Sequence, residues 1–100
     1  MIKRLNKETD QLDLIICKDD MFARNIKRVR YYTQGHKNTY IEPEFEVQND
    51  VIVVALPTQD LQTLPAGILM RDVEYIVEDM LYPDGKRNLV MTDNMNTWLC

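Results

Sequence analysis

Apolar and polar residues alternate along most of this chain, in short runs separated by residues that favour turns. The runs cover residues 11–18, 28–33, 40–47, 51–56, 67–81, 89–91 and 95–100. A period of two is typical of β-strands, because successive side chains point to opposite faces of a sheet. The pattern therefore predicts about seven short strands, with no long helices alternating between them.

The alternation also assigns side chains to faces. In the first run Leu12, Leu14 and Ile16 share one side of the strand, and Asp13 lies opposite. In the second run the two faces consist of Val29, Tyr31 and Thr33 on one side and Arg28, Arg30 and Tyr32 on the other. Between these runs, residues 18–20 predict a turn, and residues 21–26 predict a short helical turn or an irregular crossing anchored by Phe22 and Ile26.

The clearest local prediction is a hairpin from about Glu44 to Leu56. Its second strand is rich in β-branched residues, which favour strands. Asn49-Asp50 fits a two-residue turn between the strands. Upstream of the hairpin, Ile41, Phe45 and Val47 oppose three glutamates, and Pro43 predicts an edge strand or a break because proline cannot donate a hydrogen bond to a ladder.

One short helical connection is expected after Pro57, over residues 58–64. Thr58 has the side chain of a helix cap. Leu61 and Leu64 are three residues apart, so both can point towards the core. Pro65-Ala66-Gly67 ends this segment.

Residues 67–81 fit two structures. As a strand, the segment turns Leu69, Val73, Tyr75, Val77 and Leu81 to one face, although Arg71 interrupts that face; as a helix, it carries an apolar stripe. Pro83-Asp84-Gly85 resembles a hairpin turn, which favours the strand and a return strand through residues 89–91. Asp93-Asn94 then predicts a last turn or bulge, followed by a terminal strand with Trp98 packed across the core.

These elements predict one all-β domain over residues 11–100, preceded by a flexible N-terminal arm over residues 1–10. Two packed antiparallel sheets are the natural way to bury strands with this pattern. Apolar residues make up 45 % of the 100-residue chain and charged residues 28 %, as in ordinary globular proteins.

The net charge of −4 is unevenly distributed. Residues 1–37 carry nine basic and five acidic side chains, whereas residues 38–100 carry three basic and eleven acidic ones. Two differently charged faces of one molecule are the simplest interpretation, and head-to-tail association of copies is the alternative. No run approaches the length of a membrane span, and the N-terminus lacks the apolar segment of a secretory signal. We therefore expect synthesis in a cytoplasm, with Cys17 and Cys100 as free thiols.

Reactive chemistry is not indicated, so no catalytic, cofactor-binding or metal-binding residue is predicted, and the chain is not expected to be an enzyme. His36 lies in a turn without a nucleophile or carboxylate near it in sequence. One histidine and two distant cysteines cannot give the usual metal-ligand spacings. Residues 27–32 combine basic and aromatic side chains, but the acidity of the chain as a whole argues against nucleic-acid binding.

Several structural motifs resemble those of a known family. They are the Leu56-Pro57 step, Leu61, Leu64, Gly67 and the turn Tyr82-Pro83-Asp84-Gly85-Lys86. This pattern is similar to the small immunoglobulin-like domains of bacteriophage virion proteins, such as the N-terminal domains of baseplate upper proteins and short structural proteins of crAss-like phages. The likeness covers residues 11–99 and is sharpest over residues 51–91, although Met70-Arg71 departs from it.

The resemblance implies an immunoglobulin-like β-sandwich that serves as a non-enzymatic structural or adaptor protein in the phage tail, in the baseplate, near the portal or at a head-fibre attachment. Its partners would be other virion proteins or further copies of itself, bound through strand edges, the N-terminal arm and contacts between the basic residues 24–37 and acidic patches such as Glu42, Glu44 and Glu46. The expected location is the virion. The alternative is a small acidic cytoplasmic protein that binds and regulates a host protein.

Overall fold

Two β-sheets pack against each other around one apolar core in the computed structural model, which describes residues 2–16 and 25–100. The elements in chain order are β1 (Lys3–Leu5), β2 (Gln11–Ile16), β3 (Ile26–Thr33), β4 (Phe45–Gln48), β5 (Val51–Leu56), α1 (Thr58–Leu61), β6 (Gly67–Glu78) and β7 (Lys86–Leu99). The predicted all-β fold with one short helix is confirmed.

The larger sheet has the strand order β1-β7-β6-β3, and the smaller sheet has the order β2-β5-β4. Neighbouring strands are antiparallel, except that β1 runs parallel to β7. The predicted hairpin of β4 and β5 is present, and Asn49 in its turn has a φ of 59°. The break at Pro43 is also present, because Ile41 makes only an isolated bridge to Tyr31 before β4 begins.

Residues 2–10 do not form the loose arm expected from their polar sequence. Strand β1 pairs with the end of β7, and Leu5 packs against the core. The backbone N–H of Lys7 donates to the Cys100 carbonyl at 3.2 Å, and the Cys100 N–H donates to the Leu5 carbonyl at 3.1 Å. A single partly buried leucine is a weak sequence signal, so composition alone did not reveal this edge strand.

Residues 67–78 form a strand, which decides between the two structures that the sequence allowed. Strand β6 pairs with β3 on one side and β7 on the other, and Gly85 in the following turn has a φ of 73°. Strand β7 then runs without interruption to Leu99, with a bulge near Asn96, where φ is 50° and the register with β6 shifts. Leu81, which the pattern placed on the inward face, is instead 92 % exposed beyond the strand.

Two further predictions about side chains are wrong in detail. Trp98 does not cross the core, since it is 41 % exposed and its neighbour Leu99 is buried instead. The bulge near Asn96 shifts the alternation by one position, which accounts for this exchange. At the helix, Thr58 provides no side-chain cap; its backbone N–H donates to Asp10 Oδ1 at 2.8 Å.

The core combines aliphatic side chains from both sheets and from the segment around α1 with the ring of Tyr31. Val29, Tyr31 and Thr33 of β3 are completely buried, and so are Leu61 and Leu64 around α1. The predicted turn at 18–20, the anchor Phe22 and the thiol of Cys17 lie outside the described residues. Ile26, the second predicted anchor, begins β3 and packs against the core.

Candidate functional site

Strand β2 turns its three alternating aliphatic side chains away from the core. Leu12, Leu14 and Ile16 are 71 %, 59 % and 76 % exposed. Ile15 and Asp13 point inwards instead, opposite Ile52 and Val54 of β5. The register with β5 fixes this arrangement, because paired residues lie on the same face of an antiparallel ladder.

These side chains belong to a continuous apolar surface on the outside of the smaller sheet. We call it the apolar face, and it consists of Leu12, Leu14 and Ile16 of β2 with Val51, Val53 and Ala55 of β5. Large contiguous apolar patches are uncommon on the surfaces of monomeric proteins and typically mark interaction sites. This face is the strongest candidate for a binding surface in the described part of the chain.

The apolar face has an acidic border along β4 and the residue that precedes it. Glu44 and Glu46 are exposed there, and neither lies within ion-pair distance of a lysine or arginine among the described residues. A shallow cavity of about 330 Å³ lies between these glutamates and Leu12, over Val53 and Ala55. The cavity can receive an aliphatic side chain, and the glutamates can attract a positive charge beside it.

The inward position of Asp13 is explained by a polar cluster between the sheets. Arg71 Nη1 lies 2.8 Å from Asp13 Oδ2, and Arg71 Nη2 lies 3.2 Å from Asp93 Oδ2. The hydroxyl of Tyr31 also donates to Asp13 Oδ2. Tyr31, Arg71 and Asp93 form one row across β3, β6 and β7, and we call these four residues the inter-sheet cluster.

Burial and charge perturb the protonation of this cluster. Burial raises the pKa of Tyr31, and the negative charge of Asp13 and its hydrogen bond add to the increase. For Arg71 burial acts to lower the pKa, but the hydrogen bonds and charges of Asp13 and Asp93 outweigh it, so the pKa is raised. The tyrosine therefore stays neutral and the guanidinium stays charged. The arrangement suits a structural link rather than proton transfer near neutral pH.

Arg28, Arg30 and Tyr32 of the basic and aromatic segment 27–32 lie on the outer face of the larger sheet, where the charges of the two arginines are largely compensated. Arg28 Nε is 2.8 Å from Glu74 Oε2, and Arg30 Nε is 3.1 Å from Glu42 Oε1. The Arg30 guanidinium lies 5.0 Å from the centre of the Tyr40 ring. Both arginines thus bind glutamates of their own chain, which weakens the expectation that they bind those of a neighbour.

Tyr32 is not available to stack on a base, because it is only 6 % exposed. Its hydroxyl donates to Asp72 Oδ1 at 3.0 Å, and Thr92 Oγ1 donates to the same oxygen at 2.8 Å. Burial and the hydrogen bond to the Asp72 carboxylate raise the pKa of Tyr32. Asp72 is itself buried, with 6 % exposure.

The other residues considered in the sequence, His36 and Cys100, do not belong to a catalytic or metal-binding arrangement among the described residues. His36 is exposed in the turn that follows β3, and Cys100 is an exposed free thiol. Within residues 2–16 and 25–100, no three His, Cys, Asp or Glu side chains are grouped so that they could hold a metal ion. No helix in this part of the chain has the length and apolar character to cross a membrane.

Comparison with known proteins gives no match: no family model, no curated protein and no solved structure is detectably similar to this chain. The resemblance to phage virion domains therefore stays a prediction.

The apolar face was not predicted as a site. The sequence signal for it is Ile15, which gives β2 aliphatic residues on both sides. Only one side of β2 can face the core, so the other side must be exposed or covered by a partner. Arg71 interrupts the apolar side of β6 in the sequence, and in the structure its guanidinium pairs with Asp13 and Asp93.

Proposed function

We propose that this chain is a non-enzymatic structural or adaptor protein of a bacteriophage particle, which binds other virion proteins through its apolar face. The exposure of Leu12, Leu14 and Ile16 on one side of β2 carries the proposal. Aliphatic side chains gain about 25 cal/mol for each Å² removed from water, so a partner that covers them is stabilised without specific polar contacts. The role in a phage rests on the resemblance alone.

The fold is compatible with an immunoglobulin-like sandwich of the expected family. Two sheets pack around one core, and the hairpin of β6 and β7 turns at Asp84-Gly85, as in the motif that carries the resemblance. Domains of this kind attach to neighbours through exposed sheet surfaces and edges. The apolar face supplies such a surface here.

The border of the face specifies the chemistry of the partner. The cavity of about 330 Å³ fits one or two aliphatic side chains. Glu44 and Glu46 on its border favour a lysine or arginine next to those side chains. We therefore propose a partner surface with an aliphatic residue flanked by a basic one.

The proposal is tested by the composition of purified particles. Leu14→Asp places a charge in the centre of the apolar face, and because Leu14 is 59 % exposed the fold should be retained. We expect the chain to be present in stoichiometric amounts in wild-type particles and to be lost from particles that carry this variant, as measured by quantitative mass spectrometry. Glu46→Lys should reduce incorporation less severely, through repulsion of the basic partner residue.

A matched control is available at the tip of the β6–β7 hairpin. Met80 and Leu81 are 98 % and 92 % exposed, so Met80→Ser with Leu81→Ser removes comparable apolar surface elsewhere. Incorporation should be unchanged in this control. Wild-type particles without the chain would overturn the virion role and favour the regulator of a host protein, whereas normal incorporation of Leu14→Asp would exclude the apolar face as the contact.

A further inference from the structure

A cavity lies on the opposite side of the molecule from the apolar face, at the outer face of the larger sheet. Its volume is about 200 Å³, and it is lined by Arg30, Tyr32, Lys37, Asn38, Tyr40 and Asp72. Pockets for drug-sized ligands typically measure 300–1,000 Å³. This cavity, which we call the Asp72 cavity, has room for one side chain of a partner.

The Asp72 carboxylate is held in place by neutral donors. The hydroxyl groups of Tyr32 and Thr92 both donate to Oδ1. Its other oxygen, Oδ2, accepts no hydrogen bond from the described residues, yet it is not among the side-chain oxygens sealed from solvent. Since Asp72 also lines the cavity, Oδ2 is the oxygen available to a ligand.

No cation of the described residues forms an ion pair with the Asp72 carboxylate. Arg30 is the register partner of Asp72 on β3, but its guanidinium is bound to Glu42 and lies over the Tyr40 ring. A buried carboxylate without a cation is costly, and a positively charged ligand relieves that cost.

We propose that the Asp72 cavity receives the ammonium group of a lysine side chain from a partner protein. An arginine binds a carboxylate best through two parallel hydrogen bonds, which require both oxygens. At Asp72 one oxygen is already occupied by two hydroxyl donors, so a single free oxygen remains. A compact ammonium group is satisfied by one such oxygen, while the tyrosine rings contact its methylene stem.

Lys37 is expected to weaken the binding of this ammonium group. It lies on the cavity border in the exposed turn after β3, and its positive charge repels an incoming ammonium group. Its removal should therefore strengthen binding. The site is independent of the apolar face, because the two surfaces lie on the outer sides of different sheets.

The test is a titration of the full-length, ¹⁵N-labelled chain with Nα-acetyl-lysine amide, followed by NMR. We expect saturable shifts of backbone amides around Asp72, Tyr40 and Thr92. Nα-acetyl-norleucine amide, which lacks the ammonium group, and Nα-acetyl-arginine amide should bind about tenfold more weakly or worse. Equal binding of the norleucine compound, or shifts that do not saturate, would overturn the proposal.

Two variants locate the binding on the chain. Asp72→Asn keeps the shape and both hydroxyl contacts while removing the charge, and it should weaken the lysine compound about tenfold or more. Lys37→Ala is an exposed substitution that leaves the fold intact, and it should strengthen binding about twofold to fivefold. If Asp72→Asn does not fold, the test rests on Lys37→Ala. An unchanged affinity of that variant for the lysine compound would show that the compound binds outside the Asp72 cavity.

Discussion

Arg71 and Asp13 join the two sheets through the interior of the molecule. They are 58 positions apart in sequence, on β6 of the larger sheet and β2 of the smaller one, and Arg71 Nη1 lies 2.8 Å from Asp13 Oδ2. Their side chains are only 16 % and 13 % exposed. A one-residue slip of β2 would remove Asp13 from Arg71 and turn Leu12 and Leu14 inwards, so this pair helps to specify which side of β2 faces outwards.

The first prediction concerns the removal of one member of this pair. Arg71→Met should lower the free energy of unfolding by about 3 kcal/mol, because Asp13 is then left as a largely buried charge without its cation. Urea denaturation measures the change. The matched control is Arg87→Met, since Arg87 lies 3.4 Å from Asp79 in a more exposed ion pair and its removal should cost less than about 1 kcal/mol.

A double variant separates the pair from the effect of each residue. Asp13→Asn with Arg71→Met removes both charges and retains an acceptor for the Tyr31 hydroxyl. It should be less destabilised than the sum of the two single variants by about 1 kcal/mol or more. Strict additivity would show that the two residues are not coupled, and the pair would then have no role in fixing β2.

The second prediction compares neighbours on β2. Leu14 is exposed and Ile15 is buried with 5 % exposure. Leu14→Ala should change the free energy of unfolding by less than about 0.5 kcal/mol, whereas Ile15→Ala should lower it by about 2–5 kcal/mol. Denaturant titration of both variants measures these values. The opposite order would mean that β2 presents the other side to the core.

Much of the fold follows from the alternation of side chains, because most strands here bury one face only. The completely buried Val29, Tyr31 and Thr33 are an example, as is the turn at Asn49 between β4 and β5. At β2 the same rule is insufficient. Both faces carry aliphatic residues there, and Arg71, which pairs with Asp13 on the inward side, is distant in sequence and close only in the folded chain.

The candidate sites were harder to predict for a similar reason. The apolar face is formed by two strands that are 35 or more positions apart along the chain, so no local motif records it. The Asp72 cavity depends on the turn after β3 lying over β6, which places Tyr40 near Asp72. Alternation predicts which side of a strand a residue occupies, but not which loop will cover that side.

The third prediction concerns the glycine at the start of β6. Gly67 has a φ of 154°, and a Cβ added there would lie 3.3 Å from Thr33 Cβ. Gly67→Ala should therefore lower the free energy of unfolding by about 3 kcal/mol, since the side chain meets both a disfavoured backbone conformation and a close neighbour. Gly35→Ala is the control, because Gly35 also has a positive φ but no atom within 4 Å of the added Cβ. Gly35→Ala should lower the free energy of unfolding by about 1 kcal/mol. If both substitutions lower it equally, the contact with Thr33 does not contribute to the effect at Gly67.

The fourth prediction concerns stability at alkaline pH. The pKa of Tyr31 is raised in the folded chain by burial and by the charge of Asp13. In the unfolded chain this hydroxyl ionises near pH 10. The raised pKa therefore contributes stability that is fully present below about pH 10 and is lost as the pH rises further towards the folded value.

Tyr31→Phe tests this linkage. Below about pH 10 the variant should be less stable by about 1 kcal/mol, because the hydrogen bond to Asp13 is lost. Above that pH the wild type should lose up to about 1.4 kcal/mol per pH unit through this tyrosine, and the variant should be spared that part of the loss. The two curves of unfolding free energy, measured by urea denaturation between pH 9 and 11, should consequently converge. Parallel curves would show that Tyr31 ionises alike in both states, so that neither its burial nor Asp13 holds the proton in the folded chain.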